Sequence, residues 1–177
     1  MGKWTCFLIL IFFLACSKKD KTDSPHVDPR LYNKNLEKAN KYFSRSDAMK
    51  IEDYCRRHNL ETKETGTGLR YVILQHGNGE FIAEKDEVTF HYTIRLINDA
   101  VVESSEQKGP KKIIVGYSSE ISGLTEGLLL LRKGDRALFI IPSHLAYGWV
   151  TGSSNIPPKS ILIYEIKVLE VKKTDKI

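Results

Sequence analysis

Residues Ser143 to Glu165 read Ser-His-Leu-Ala-Tyr-Gly-Trp-Val-Thr-Gly-Ser-Ser-Asn-Ile-Pro-Pro-Lys-Ser-Ile-Leu-Ile-Tyr-Glu, and no other stretch restricts the fold as much. A strand ends, a loop of restricted shape follows, and a second strand begins. Ala146-Tyr147-Gly148 puts one aromatic hydroxyl at the start of the loop, and Ile156-Pro157-Pro158 closes it. Each proline fixes φ near about −65°, so the loop is restrained before any ligand arrives. From Ser160 to Glu170 the residues alternate. Leu162, Tyr164, Ile166 and Val168 share one face while Glu165 and Lys167 share the other, the pattern of a half-buried strand. The rest of the chain has to hold this loop.

Upstream, Gly66-Thr67-Gly68 breaks a helical pattern and Leu69 to Leu74 opens a sheet, with Gly77-Asn78-Gly79 as a turn. Val88, Phe90, Tyr92, Ile94 and Leu96 alternate with Thr89, His91, Thr93 and Arg95, which predicts a strand lying across a core. Asn98-Asp99 reads as a turn, Val101 and Val102 resume a strand, Gln107 to Lys111 reads as polar loop, and Ile113 to Val115 as a short strand ending at Gly116. Leu124, Leu128 and Leu131 stand at helical spacing, enough for one short helix to cover the sheet. Gly134-Asp135 turns the chain into a strand from Ala137 to Ile141. The expectation is an α+β domain, a curved antiparallel sheet of about five strands wrapped on one short helix.

The first residues carry a different message. Lys3 is followed by an unbroken apolar run from Phe7 to Ala15, too short to span a hydrocarbon core of ~30 Å as a mature helix. The run stops at Cys16, and Ser17-Lys18-Lys19-Asp20-Lys21 follows at once. Residues 1–15 therefore read as a signal peptide and 16–28 as a polar tether. The alternative is an uncleaved membrane anchor. Asp28-Pro29 resembles an N-cap and first helical residue, after which Tyr32, Leu36, Ala39 and Phe43 predict a helix of about four turns. A second helix is expected after Ser46 through Ile51, Tyr54, Cys55 and His58, ending at Asn59. This segment, 29–62, is too short for a core of its own and must lean on the domain that follows or on a second copy.

The formal net charge is +5, and loss of residues 1–15 removes only Lys3, leaving +4. Much of the excess sits at the ends, in Lys18-Lys19-Asp20-Lys21 and Lys172-Lys173-Thr174-Asp175-Lys176, and no basic helix is interleaved with aromatics. Nucleic acid is accordingly not an expected partner. Cys6 would leave with the signal peptide, and Cys16 would be taken up by the modification that its own sequence context implies (Phe13-Leu14-Ala15-Cys16 resembles a lipobox), which leaves Cys55 without a partner for a disulfide. Cys55 and His58 lie one turn apart as metal ligands can, but with no further Cys or His nearby they read as packed residues. No Gly-x-Ser-x-Gly occurs and no histidine falls in a recognised metal or triad motif, which argues against hydrolases.

From Gly66 to Lys172 the chain resembles the FKBP-type peptidyl-prolyl isomerases. The resemblance is carried by His91-Tyr92-Thr93, by Val102-Glu103-Ser104-Ser105 where the family has Phe-Asp-Ser-Ser, and by Ile121-Ser122-Gly123-Leu124-Thr125-Glu126-Gly127, as well as Ala146-Tyr147-Gly148 and Ile156-Pro157-Pro158. It implies an isomerase domain over residues 66–172, no cofactor or metal, and proline-containing polypeptides as clients. It places Tyr92, Val102, Glu103, Ile121, Leu124, Tyr147, Ile156 and Tyr164 around the reacting bond, with Ile113 and Lys111 as substrate-binding residues. By the same resemblance Tyr147 donates its hydroxyl to a substrate carbonyl, and the Ile121 N–H serves similarly. From spacing alone Tyr92, Tyr164 and Leu124 are core residues and Ile156 shields the prolines; only Tyr147 is better explained by function. Several positions depart from the family: Leu124 stands for a tryptophan floor, Val102 for a phenylalanine, Glu103 for an aspartate, Lys111 for a wall aromatic and Tyr164 for a phenylalanine. A wider, more polar pocket should bind macrolide inhibitors poorly, since each lost aromatic removes much of its ~150–250 Å² of buriable surface.

Phe13-Leu14-Ala15-Cys16 resembles a bacterial lipobox, with Phe13 where leucine is usual, which implies lipidation at Cys16 and a lipid-anchored envelope protein facing the periplasm or cell surface. Two functions follow: a membrane-tethered isomerase acting on exported proteins, or a binding and chaperone module of the same fold with little catalysis. A Lys111 pointing into the pocket favours the module and one pointing to water leaves the enzyme intact. The architecture is also similar to lipoproteins associated with gliding machinery. The sequence leaves the oligomeric state open.

Overall fold

The computed structural model describes residues 29–152 and 155–174; side chains are described from residue 33 on, Asn35 excepted. The expected signal peptide, Cys16 and the tether lie outside the described residues, as does the side chain of Tyr32. The chain divides into two units, Met1–Leu36 and Glu37–Ile177, and in the first only the opening of a helix is described. No helix among the described residues is long and apolar enough to cross a membrane.

Helix α1 runs from Pro29 to Arg57 without interruption, which corrects the expectation of two short helices. Ser44-Arg45-Ser46-Asp47 is polar, but no glycine or proline follows Pro29 within the helix, and polarity alone does not break the backbone ladder. Ser46, after which the sequence predicts a second helix, lies inside the continuous helix, and its neighbour Asp47 bonds Ser143 far along the chain. The helix ends as expected at Asn59, whose φ of 51° is the left-handed value that asparagine tolerates, and Leu60 N–H returns to the Cys55 carbonyl.

Seven strands follow in one antiparallel sheet, more than the sequence suggested. They are β1 (Lys63–Glu64), β2 (Arg70–Gln75), β3 (Glu87–Leu96), β4 (Val101–Ser104), β5 (Lys111–Ile114), β6 (Arg136–Ile141) and β7 (Leu162–Lys172). Their order is β1-β2-β6-β7-β3-β4, with β5 paired to β3. Part of the expected polar loop at Gln107 to Lys111 is ordered: α2 covers Ser105–Lys108, its first turn capped by the Ser104 hydroxyl, and Lys111 opens β5 opposite Phe90.

Helix α3 (Ser122–Leu128) packs on one face of the sheet, where Leu124, Leu128 and Leu131 meet Phe90, Phe139, Ile141 and Val168. On the other face Leu138, Ile140 and Ile163 meet Ile51, Tyr54 and Cys55 of α1. Strand β6 is therefore buried on both sides, which is why Ala137-Leu138-Phe139-Ile140-Ile141 reads as a continuous apolar run rather than an alternating one. Burying one such isoleucine or leucine contributes about 1.5–3 kcal/mol, so the α1 stripe is a substantial part of the core. Cys55 packs in this cluster with Sγ 3.7 Å from the Thr62 hydroxyl, while His58 stacks on Tyr54 at 4.1 Å and lies 3.3 Å from Asp99. The Tyr54 hydroxyl donates to Asp99 at 3.0 Å; burial and this bond push its pKa up to about 12.

Candidate active site

The inner face of the sheet and the loop between β6 and β7 bring the ten expected residues of the pocket into one neighbourhood. Tyr92 projects from β3 and Tyr164 from β7, where their strands pair two residues out of step (Tyr92 opposite Ile166, Ile94 opposite Tyr164). Ile113 comes from β5, Leu124 lies in α3 and Ile121 is the residue before that helix. Ile156 is buried just ahead of Pro157-Pro158. All of these belong to one apolar cluster, with Val102 and Tyr147 packed against it. Period-two alternation on two strands and the apolar stripe of α3 thus converge on the same spot.

Tyr147 follows a short 3-10 turn, Ser143–Leu145. Gly148 then takes φ +58°, a conformation that any side chain would resist, and swings the loop back. Gly152 lies so close to the Tyr147 ring that an added Cβ would overlap it, so the loop covers one side of the aromatic. Among the described residues the Tyr147 hydroxyl meets no hydrogen-bond partner, and its pKa is raised by burial and by Glu120 and Glu103. The Ile121 N–H likewise finds no backbone acceptor, although the Ile121 carbonyl receives Leu124 and Thr125. Two donors are therefore available beside an apolar wall.

Charges occupy the rim. The Tyr92 hydroxyl donates to Glu103 at 2.5 Å, and burial together with that bond lifts the phenol far above its ordinary range. Glu103 is partly buried, which opposes its ionisation. Hydrogen bonds from Tyr92 and from Lys108, the latter at 2.9 Å, nonetheless bring its pKa below the usual value. Tyr164 is raised well above ordinary phenols by burial first and by Tyr147, Glu120, Glu103 and Tyr92 after it, which places these groups in one electrostatic cluster.

Lys111 is paired rather than left to open water. Its ammonium lies 2.7 Å from Glu120 and 5.9 Å from the centre of the Tyr92 ring, with about a third of the side chain exposed. Glu120, only 16 % exposed, was not visible to sequence reasoning, because nothing in the spacing of a β5 lysine and a pre-α3 glutamate pairs them. Lys108 was missed for a similar reason: it belongs to a helical turn read as loop. A cleft of about 420 Å³ lined by His91, Ser105, Arg136 and Lys167 opens elsewhere, and of the expected residues only Tyr92 borders it.

An apolar cluster with a hydroxyl and an amide N–H beside it suits a small hydrophobic ring next to carbonyl groups. Comparison with known proteins gives a family for this fold. Residues 78–169 match the family described as FKBP-type peptidyl-prolyl cis-trans isomerase. A probable FKBP-type isomerase of Haemophilus influenzae is 39 % identical over 111 residues, 63 % of this chain and 46 % of that protein. The crystal structure of FkpA from Escherichia coli superposes with a TM-score of 0.64 at 30 % identity, covering 81 % of this chain and 67 % of that one. AtFKBP13 gives a TM-score of 0.60 at 28 % identity, covering 64 % of this chain and 99 % of the other. The chain spans less than half the length of the curated relatives it matches, 46 %, 40 % and 44 % for three of them. The match includes β3 to β6, most of β7, α3 and the loop around the apolar cluster, and the chain accordingly belongs to the FKBP-type peptidyl-prolyl cis-trans isomerase family.

Proposed function

We propose that this protein is a membrane-anchored peptidyl-prolyl cis-trans isomerase acting on exported or envelope polypeptides. The reaction makes and breaks no bond. Rotation about the prolyl C–N bond must suspend amide resonance, at a barrier of ~18–20 kcal/mol, and a site that favours the twisted amide over the planar one lowers it. The observation that carries this reading is the apolar cluster of Leu124, Ile121, Ile156 and Tyr164 beside a Tyr147 hydroxyl with no hydrogen-bond partner among the described residues. The proline ring rests on the apolar residues, which hold water away and favour the less delocalised amide. The Tyr147 hydroxyl and the Ile121 N–H donate to neighbouring substrate carbonyls and fix the peptide on one side of the rotating bond. Val102 and Ile113 complete the wall, while Glu103, held by Tyr92 and Lys108, and Lys111 set the polarity of the rim.

The anchor reading rests on Phe13-Leu14-Ala15-Cys16 and the polar residues after it. Acyl chains on Cys16 contribute ~0.8 kcal/mol per buried methylene, and more than one chain is needed for stable attachment. The chain then consists of a signal peptide (1–15), a tether (16–28), a helical segment (29–62) and the isomerase domain (66–172), in the bacterial envelope and facing the periplasm or cell surface. Mass spectrometry of membrane-extracted protein should find an acylated peptide beginning at Cys16; an intact Met1 terminus would refute the anchor.

A second reading is favoured by one observation, the Lys111–Glu120 ion pair on the rim where an aromatic is usual. In that reading the protein is a binding or chaperone module with little catalysis, in an envelope assembly such as gliding machinery. A protease-free isomerisation assay with an apolar residue before proline decides between them. A rate above the uncatalysed one supports the enzyme; binding of unfolded chains with no acceleration supports the module.

A further inference from the structure

Helix α1 carries a carboxylate in the middle of its apolar stripe. Phe43, Asp47, Ile51 and Tyr54 fall on one face, and Asp47 is only 5 % exposed. A buried carboxylate without compensation is costly, and an apolar residue there would serve packing better. Among the described residues the hydrogen bonds to Asp47 come from one residue, the Ser143 N–H at 2.9 Å and the Ser143 hydroxyl at 2.5 Å, and the Lys159 ammonium adds a coulombic attraction. The Ser143 carbonyl in turn receives the N–H groups of Ala146 (3.2 Å) and Gly148 (2.8 Å), the two residues flanking Tyr147. From Gly148 the chain of bonds continues, since its carbonyl receives Lys159 N–H at 2.6 Å, just beyond Pro157-Pro158.

The same helix grips the loop a second time. The Phe43 and Trp149 rings meet edge to face at 5.2 Å, and the Lys159 ammonium lies over both. Trp149 is otherwise 65 % exposed, so Phe43 is a principal restraint on it. Contacts from one helix thus reach the start, middle and end of the loop that carries Tyr147 and Ile156.

We propose that Asp47, assisted by Phe43, is a positioning residue for the Tyr147 loop, making α1 part of the isomerase apparatus. The proposal rests on the isomerase reading of that loop. Catalysis that depends on one hydroxyl and an apolar wall is sensitive to placement, and a shift of about 1 Å can cost as much as ~10²-fold in rate.

The test uses the full chain carrying Trp4→Phe, in which Trp149 is the remaining tryptophan. Asp47→Ala, Asp47→Asn and Ser143→Ala are compared with Ile51→Ala, a control that loosens the packing of α1 on β6 and β7 without removing a hydrogen bond to the loop. Rates are read below every variant's melting temperature. Asp47→Ala should lower kcat/KM by roughly tenfold, chiefly in kcat, and should lower the fluorescence anisotropy of Trp149. Asp47→Asn keeps an acceptor for the Ser143 N–H and should recover most of both. Ser143→Ala, which retains that N–H, should fall between, and it carries the test if Asp47→Ala does not fold. Ile51→Ala should destabilise the chain yet keep wild-type rate and anisotropy. Wild-type values for Asp47→Ala, or equal losses in Asp47→Ala and Ile51→Ala, would overturn the proposal. If the wild type proves inactive, the isomerase reading fails on its own, and Trp149 anisotropy decides whether Asp47 orders the loop.

Discussion

Replacing Tyr147 with phenylalanine tests the chemistry with the least disturbance to the fold. The Tyr147 hydroxyl has no hydrogen-bond partner among the described residues, and the ring remains to pack under Gly152, so its removal orphans nothing. What is lost is one hydrogen bond to a substrate carbonyl, typically ~0.5–1.5 kcal/mol net, or roughly two- to twelvefold in kcat/KM. The melting temperature should stay within about a degree or two, since surface and partner-free groups usually contribute less than ~0.5 kcal/mol. Tyr92→Phe is the informative contrast. Its hydroxyl is spent on Glu103, and removing it leaves a partly buried carboxylate with Lys108 alone. That variant should lose about 1–3 kcal/mol of stability while its rate at low temperature changes less than that of Tyr147→Phe. The assay is protease-free isomerisation beside thermal unfolding. The reasoning is refuted if Tyr147→Phe turns over at the wild-type rate, or if it unfolds as easily as Tyr92→Phe.

Ile51→Ala should cost about 2–5 kcal/mol in denaturant unfolding, because Ile51 is fully buried between α1 and strands β6 and β7. Lys111→Phe should strengthen binding of an apolar inhibitor more than it changes turnover, and should cost about 1–3 kcal/mol of stability because the largely buried Glu120 loses its Lys111 partner; unchanged inhibitor affinity would mean that Lys111 does not border the pocket. The pH profile has two predicted edges. Glu103 and Glu165 have lowered folded pKa values, so each contributes stability that is present above the ordinary carboxylate range and lost as pH falls through the folded value; Glu165→Gln should flatten the acid limb. Tyr147 is raised, so its hydroxyl stays protonated and isomerisation should hold level to about pH 10; a loss with a midpoint near pH 8 would point to another group.

Much of the pocket was legible because strands and helices announce which face they bury. Alternation put Tyr92 and Tyr164 on inward faces, and helical spacing put Leu124 toward the sheet. Pro157-Pro158 and the glycine after Tyr147 made that residue stand out before any contact was known; the left-handed conformation of Gly148 came from the structure. The continuity of α1 was not legible, because the polar Ser44-Arg45-Ser46-Asp47 looks like a break, whereas Asp47 is committed to Ser143, ninety-six residues away. The rim was not legible either. Lys111 with Glu120 and Lys108 with Glu103 are ion pairs between separate elements, and charge carries no periodicity that would foretell its partner.

The position of β7 governs how the chain can fold. It is the last strand in sequence, yet it lies in the interior of the sheet, paired with β6 on one side and β3 on the other. Before it arrives, β1, β2 and β6 form one fragment and β3, β4 and β5 another, each with an open edge. The α1 stripe also waits, since Ile163 is one of the residues it buries against. Joining distant segments last makes folding slow and leaves hydrophobic edges exposed meanwhile. A chain stopped before Leu162 would hold every residue of the pocket except Tyr164 and still have no pocket. Nascent copies of this protein are therefore aggregation-prone clients in their own right until their final strand is in place.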